Sequence, residues 1–438
     1  MKTNKPNPDS QDAQEYKPTE TVTHSISYRS ALFEYIKSVL SFKGDIVSLT
    51  CPTFLLSGNS ILEISVHWGD HIDFLTKVPQ AKTAQERILL VAKWLVSSFY
   101  GSYYTKPGTD SSDSKVKKPF NPILGEQFFA RWESDEFGET KLVCEQVSHH
   151  PPVSALHIQN EKAKIYCNGF FAQKLKFTGT SMNIAQKGQM SVYLANTNET
   201  FCMSLPSLSI NGLITGNPQI EVSGDVLIRS STKATCLLKF HKKPWLFGEF
   251  NKFDGVIFSD LDQHDPGEFE DQVQQTGEIP KSTINTFEIK GDWTSESKLT
   301  SLLESDDDDD ESSENIDFLD MDDFAASLPL IHSLEYQSPI ESQKVWQHVT
   351  EAMNQNDFIK ASHEKRKIEE EQRALRIKED EDGIIWKPKL FTFISYEDIP
   401  ETKNDMYQAF NYLSAVKPEA GDGLWIHNDS INFFTNDA

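Results

Sequence analysis

Between Pro119 and Trp293 the chain runs in short stretches of β-branched and aromatic residues separated by turn residues. That texture limits the fold more than any other feature. The stretches are Lys141–Cys144, Ala163–Gly169, Met190–Leu194, Leu213–Thr215, Ile220–Val222, Val226–Ile228, Ala234–Phe240, Gly255–Phe258 and Thr286–Lys290. Val, Ile, Phe and Tyr suit a pleated, half-buried surface, and the intervening Gly, Asn, Asp and Pro supply turn geometry. Short strands at about ten-residue spacing read as a sandwich or barrel. Closure removes aggregation-prone edges, and a sheet of about eight or more strands closed on itself encloses a cavity. The expected class is therefore mainly β, a many-stranded sheet closed on itself, with helices on either side in sequence.

Helical patterns precede the strands. Residues 1–24 are polar, contain proline and lack an apolar signal segment, so they read as disordered. Ile26, Leu32, Phe33, Ile36, Val39 and Leu40 then recur at helical spacing, with Gly44 as a stop. This is either an ordinary core helix or a detachable amphipathic element that covers a cavity or touches a membrane. Ile61–Trp68 has a short helical pattern, and Ala84–Tyr104 a longer one with Ile88, Leu89, Val91, Ala92, Leu95, Val96 and Phe99 apolar. Arg87 and Lys93 argue against a membrane span there, so a core helix is expected. Residues 105–117 have loop composition.

The 438 residues are 38% hydrophobic and 11% aromatic, which supports a large core. The net charge of −24 argues against general nucleic-acid binding, which needs a basic face. Half of that excess is local: residues 304–323 hold twelve Asp and Glu and no Lys or Arg, with Asp306–Asp310 unbroken. Such a run repels itself and stays solvated. Five scattered cysteines without a CxxC point to a reducing compartment, with neither a disulfide framework nor a zinc site. No apolar stretch of about 18 residues is present, so a soluble cytosolic protein is expected. Beyond the acidic tract, Ser342–Glu379 is helical and charged, and Trp386 and Leu390–Phe393 return to a core.

Three constellations carry chemistry. In Glu145-Gln-Val-Ser-His-His-Pro-Pro152, two adjacent imidazoles stand before two prolines. Proline lacks the ladder donor, so the strand is expected to stop there and present His149 and His150 at a rigid rim. Two imidazole donors suit an anion such as a phosphate. Other uses fit the pattern too: metal binding, although no partner ligands stand out; a hydrolytic role with Ser148, although no elbow glycines surround it; or two histidines satisfied within a turn. The second constellation is Lys117-Lys118-Pro-Phe-Asn121-Pro-Ile-Leu-Gly-Glu126, a lysine pair leading into a rigid corner. In the third, Lys365, Glu369 and Arg373 are spaced i, i+4, i+8 on one helix, a pattern equally at home on a solvated face.

Glu145–Pro152 resembles the signature of the oxysterol-binding-protein-related lipid-transfer family. Lys118–Glu126 resembles the family's second motif, and Ser338-Pro-Ile-Glu-Ser342 with Trp346, and Gly383-Ile-Ile-Trp386, resemble its C-terminal landmarks. The likeness runs from about Ser30 to about Phe393 and is to the short, single-domain yeast type. It implies a nearly closed antiparallel barrel around a lipid tunnel, an N-terminal amphipathic lid and flanking helices. The corresponding division is a disordered 1–24, a lid at 25–48 with Leu32, Phe33 and Ile36, a helical segment at 49–105, a barrel at 106–298, an acidic insertion at 299–328 and a helical subdomain at 329–438.

The resemblance also implies a non-enzymatic protein without cofactor or metal. It would extract phosphatidylinositol 4-phosphate and exchange it for a sterol, or for phosphatidylserine, between cytosol-facing Golgi and endoplasmic-reticulum membranes. A sensor that sequesters phosphoinositide without net transport is the alternative. Lys118, Asn121, His149, His150, Lys365, Glu369 and Arg373 would hold the headgroup, with Lys174 as a further contact. Trp68 and Tyr103 match the tunnel base of sterol-binding members, whereas Ser102 and Phe171 replace polar residues there, which leaves the second lipid open. Finally, Asp317-Phe-Leu-Asp-Met-Asp-Asp323 resembles an acidic-tract motif that docks on endoplasmic-reticulum receptors, or equally a family segment whose Phe packs on the barrel.

Overall fold

A computed structural model describes residues 37, 53–104, 117–178, 180–213, 218–244, 248–258, 287–301, 315–399 and 423–430. The expected lid at 25–48, with Leu32, Phe33 and Ile36, lies outside them except for Lys37, as do residues 105–116 and the Asp306–Asp310 run.

Strand β1 (Leu56–Ser60) pairs in parallel with β2 (Lys118–Phe120). Between them lie a 3₁₀ helix at Glu63–Gly69, α1 (Ile72–Lys77) and α2 (Ala84–Tyr103). The helical pattern at 61–68 thus forms the tighter 3₁₀ winding rather than an α-helix. α2 begins at a capping box: Thr83 Oγ1 accepts from Glu86 N, and the Glu86 carboxylate accepts from Thr83 N. Its Ile88, Val91, Ala92, Leu95, Val96 and Phe99 are buried, as expected of a core helix.

One antiparallel sheet of 13 strands dominates the molecule. In chain order they are β3 (Gln127–Ser134), β4 (Gly138–His149), β5 (Pro152–Asn160), β6 (Ile165–Phe177), β7 (Met182–Leu194), β8 (Glu199–Ser204), β9 (Ser207–Asn211), β10 (Gln219–Ser230), β11 (Thr235–Phe240), β12 (Lys252–Phe258), β13 (Phe287–Asp292), β14 (Glu296–Ser301) and β15 (Asn315–Asp320). Neighbours in sequence are neighbours in the sheet, except that β8 and β9 lie end to end between the long β7 and β10. The expected stretch Leu213–Thr215 is not a strand where it is described: Gly212, at φ +72°, ends β9 and Leu213 sits in a turn. Residues 315–320, inside the acidic segment, form an edge strand instead of staying solvated along their whole length.

Among the described residues no ladder joins the two edge strands, β3 and β15. The segment after β15 runs to β3 and covers its edge. Leu330 and Arg131 exchange backbone hydrogen bonds of 2.7 and 3.0 Å, and Gln127 N donates to Ile340 O at 2.9 Å. Those donors and acceptors are thereby withheld from other chains.

Side-chain alternation sorts the two faces of the sheet. Leu156 in β5 joins the main core with α1 and α2, whereas its neighbour Ala155 joins a second cluster on the other face. That second cluster is completed by the hairpin β16 (Phe391–Ser395) and β17 (Gly423–His427). Helices α3 (Ser342–Val345), α4 (Gln347–Asn354) and α5 (Phe358–Glu381) contribute to a third, in which Trp346 stacks on Phe120 at a centroid distance of 4.5 Å.

Candidate functional site

His149 ends β4 and Pro152 opens β5, so the His-His-Pro-Pro run is the turn of a β-hairpin. The strand stops at His149, where the prolines were expected to end it. Pro152 pairs with His149, which a proline tolerates at a strand's first residue, and the sheet resumes at once. The His150–Pro151 peptide is cis. The two imidazoles stand edge to face, 4.7 Å between centroids, and both reach solvent.

The rest of the signature braces this turn. Gln146 Nε2 donates to Ser148 O at 2.9 Å and Gln146 Oε1 accepts from Ser154 Oγ at 2.6 Å. Ser148 Oγ donates to Pro151 O at 2.7 Å, which directs its proton at a carbonyl rather than at an imidazole. Buried Glu145 accepts from Lys389 N and Leu390 N, each at 2.8 Å, and so holds the segment after Trp386 against β4. Burial raises the Glu145 carboxyl above its usual range while these hydrogen bonds pull it back.

The second motif is fastened to the first. Gly125 N donates to Gln146 O and Gln146 N donates to Glu126 O, both at 2.9 Å. Gly125 has φ +80°, and the Trp386 ring lies where a Cβ would come within 3.1 Å of it, so both backbone and packing favour glycine. Glu126 is fully buried and accepts from Ser60 Oγ, from Ile123 N and Trp346 Nε1 at 3.0 Å, and from Ser342 Oγ at 2.8 Å. One carboxylate thus joins β1, the Asn121–Glu126 corner and α3. At the start of that corner Lys118 Nζ donates to Asn121 Oδ1 at 2.8 Å.

α5 supplies charge to the histidines. Lys365 and Glu369 form an ion pair, with the lysine side chain 13% exposed. The protein packed around His149 disfavours its imidazolium, and His150 and Arg376 lower its titration further, while Glu369 works in the opposite direction. Arg373 is exposed, whereas Arg376 is half-buried. Lys174 lies on β6 two residues past Ala172, which pairs with Val153, so it stands beyond the His hairpin at the same end of the sheet. The structure therefore brings Lys118, Asn121, the histidines and the Lys365–Glu369 pair onto elements tied to one another, and leaves Arg373 on the outer side of its helix.

Trp68, Tyr103 and Phe171 all pack against the main core. Trp68 O accepts from Trp94 Nε1 at 2.7 Å. Ser102 Oγ donates back to Ser98 O of its own helix at 2.8 Å. Tyr103 OH donates to Gln186 Oε1 at 3.2 Å, and burial pushes the phenol up to about 12. Gln186 went unnoticed in the sequence because a glutamine in a half-polar strand carries no signal of its own. Of the two readings of 317–323, the burial of Phe318, Leu319 and Met321 in the main core fits the family segment whose Phe packs on the barrel.

The large antiparallel sheet thus carries the first two motifs fastened to each other at one end. The sequence model of the oxysterol-binding protein family matches residues 35–416, and the chain belongs to that family. Protein kes1 of Schizosaccharomyces pombe is 32% identical over 363 residues, 83% of this chain and 87% of that protein. Human oxysterol-binding protein-related protein 8 is 29% identical over 384 residues, 87% of this chain and 39% of the human protein. Among solved structures, the Osh1 ORD domain in complex with ergosterol aligns with a TM-score of 0.64 at 20% identity, covering 96% of this chain and 89% of that one. The Osh3 ORD in complex with PI(4)P from Saccharomyces cerevisiae aligns at 0.59 and 20% identity, covering 83% and 87%. No helix among the described residues is long and apolar enough to cross a membrane.

Proposed function

We propose that the protein extracts phosphatidylinositol 4-phosphate from cytosol-facing membranes, such as those of the Golgi and endoplasmic reticulum, and exchanges it for a second lipid. The observation that carries this reading is the fastening of the Lys118–Asn121 corner to the base of the His149–His150 hairpin, with the charges of α5 acting on His149. A phosphomonoester offers nearly two charges and three acceptors, and hydrogen bonds between ionised partners are the strong kind. His149 is biased toward its neutral form in the free protein, and an arriving phosphate favours its imidazolium. The acyl chains go to the apolar interior, where each buried methylene contributes about 0.8 kcal/mol. The protein acts without covalent chemistry, consistent with the Ser148 hydroxyl being committed to Pro151 O. The second lipid is a sterol or phosphatidylserine. Tyr103 with Gln186 offers a polar pair for a hydroxyl, whereas Phe171 offers none.

The test compares phosphatidylcholine vesicles doped with either phosphatidylinositol or phosphatidylinositol 4-phosphate. After the vesicles are pelleted, the protein is expected to retain the 4-phosphate lipid in the supernatant and leave phosphatidylinositol behind. Equal retention of both would overturn the headgroup assignment. Mass spectrometry of lipids co-purifying with the protein names the second ligand.

A further inference from the structure

We propose that the stacked imidazoles of His157 and His427 form a proton-operated clasp: acidification places a proton on each ring and lifts the β16–β17 hairpin from β5 and β6 while the 13-stranded sheet stays folded. The inference does not depend on what the rim binds.

The hairpin is a separate piece of structure. Its strands pair with each other, and among the described residues neither joins the main sheet by a ladder. It is held by the apolar side chains of Phe391, Leu424 and Ile426 and by polar groups of the strands beneath. At its root Glu145, on β4, accepts from Lys389 N and Leu390 N. At its second strand Asn168 Oδ1, on β6, accepts from His427 N at 2.9 Å, and Asn168 Nδ2 donates to Ser430 Oγ at 3.1 Å. These two bonds orient the Asn168 amide, so its oxygen accepts from His157 Nδ1 at 3.2 Å. The His427 ring lies on the His157 ring with centroids 4.5 Å apart and planes 8° from parallel, and Phe391 meets it edge to face at 5.5 Å.

Such a stack suits neutral rings. Both side chains are buried, and His427 Nδ1 is shut off from solvent with no hydrogen-bond partner. A proton there is a buried donor without an acceptor, and a proton on each ring sets two like charges face to face. The surroundings offer little relief. On β5 itself Gln159 Oε1 lies 3.1 Å from His157 Nε2. On β4 Lys141, paired with Gln159 across the ladder, is engaged by Glu139. On β6 Tyr166, also opposite Gln159, donates to Glu161. After β17 Asp429 favours a charge on His427, and among the described residues no carboxylate does so for His157. Burial, then His427, holds His157 down to about 4, and burial holds His427 below its usual range. Released into water, each ring titrates near about 6.5. The open hairpin therefore binds more protons than the closed one as pH falls from about 6.5 toward 4, and opening is favoured over that window.

The experiment uses the full chain and hydrogen–deuterium exchange read by mass spectrometry at about pH 7.5 and about pH 4.5, each rate divided by the intrinsic chemical rate at that pH. The reporter is the His427 amide, whose bond to Asn168 exists only while the hairpin is docked. The amides of residues 201–203 and 226–228, paired across β8 and β10, report on the main sheet. Opening at His427 is expected to rise at least about tenfold on acidification while the sheet amides keep their protection. His157→Leu/His427→Phe retains an apolar contact and takes no proton, so protection at position 427 is expected to be the same at both pH values. If that variant is already open at the higher pH, His427→Phe alone replaces it and is expected to show a smaller rise than wild type. Unchanged protection of His427 in the wild type overturns the proposal. So does a loss shared with the sheet amides, or a rise in the variant as large as that of the wild type.

Discussion

The His149→Ala/His150→Ala variant is expected to extract phosphatidylinositol 4-phosphate at least about a hundredfold less well than wild type while keeping its melting temperature. Hydrogen bonds to charged groups contribute about 1.5–3 kcal/mol each, so losing two of them removes about 3–6 kcal/mol, and each 1.4 kcal/mol is tenfold in affinity. Stability is spared because both rings reach solvent, and the hairpin is held by Glu145, Gln146, Ser148 and Ser154 instead. The same pair predicts a pH dependence. In the free protein His149 titrates below the usual imidazole range, because the protein packed beside it disfavours the charged form and because His150 and Arg376 repel the added charge. A bound phosphate stabilises the imidazolium and raises that titration, so binding takes up a proton and tightens as pH falls. Extraction by the wild type is expected to strengthen from about pH 8 to about pH 6, and the double variant is expected to lose this slope. A vesicle-pelleting series over that range measures both. Wild-type extraction by the double variant would remove the histidines from the site.

How far the sequence reaches depends on the kind of information. β4, β6, β7 and β10–β13 are legible because their branched and aromatic residues are consecutive or alternate locally. β15 is not, because only Phe318 and Leu319 of its apolar residues face the core and aspartates surround them; its partner β14 supplies Lys298 opposite Asp317. β5 is hidden by Pro152, which looks like a terminus but sits where a strand starts. At the site, Glu145–Pro152 and Lys118–Glu126 stand out as contiguous motifs. Their junction does not, since it is made by backbone bonds between Gly125, Glu126 and Gln146 and by the Trp386 ring on Gly125.

Glu126→Ala is expected to destabilise the protein by about 3–5 kcal/mol, the range for removing one partner from a buried charged network. Four donors converge on this carboxylate, and the Trp346 indole and Ile123 amide make no other hydrogen bond that would replace it. Ser342 retains an alternative at 3.2 Å in Gln127 O. The loss also loosens the corner that carries Lys118 and Asn121, so extraction falls with stability. Glu126 has a pH signature of its own. Burial pushes its carboxyl from 4.5 up to about 7, against the pull of its hydrogen bonds. Between those values the folded state holds a proton that the unfolded chain has released. By linkage its contribution is full below about pH 4.5 and lost as pH rises through about 7, about 3 kcal/mol in all. His157 opposes it: burial, then His427 stacked 4.5 Å away, holds His157 down to about 4, so its contribution is lost as pH falls from 6.5 through that value. The two slopes offset each other between about pH 4.5 and 6.5, which flattens the wild-type profile. Glu126→Gln removes one of them. Denaturant midpoints for wild type and Glu126→Gln are expected to differ most near pH 5 and to converge toward pH 8, as the ionised glutamate loses its advantage. A gap that stays constant over that range would mean that Glu126 is ionised throughout.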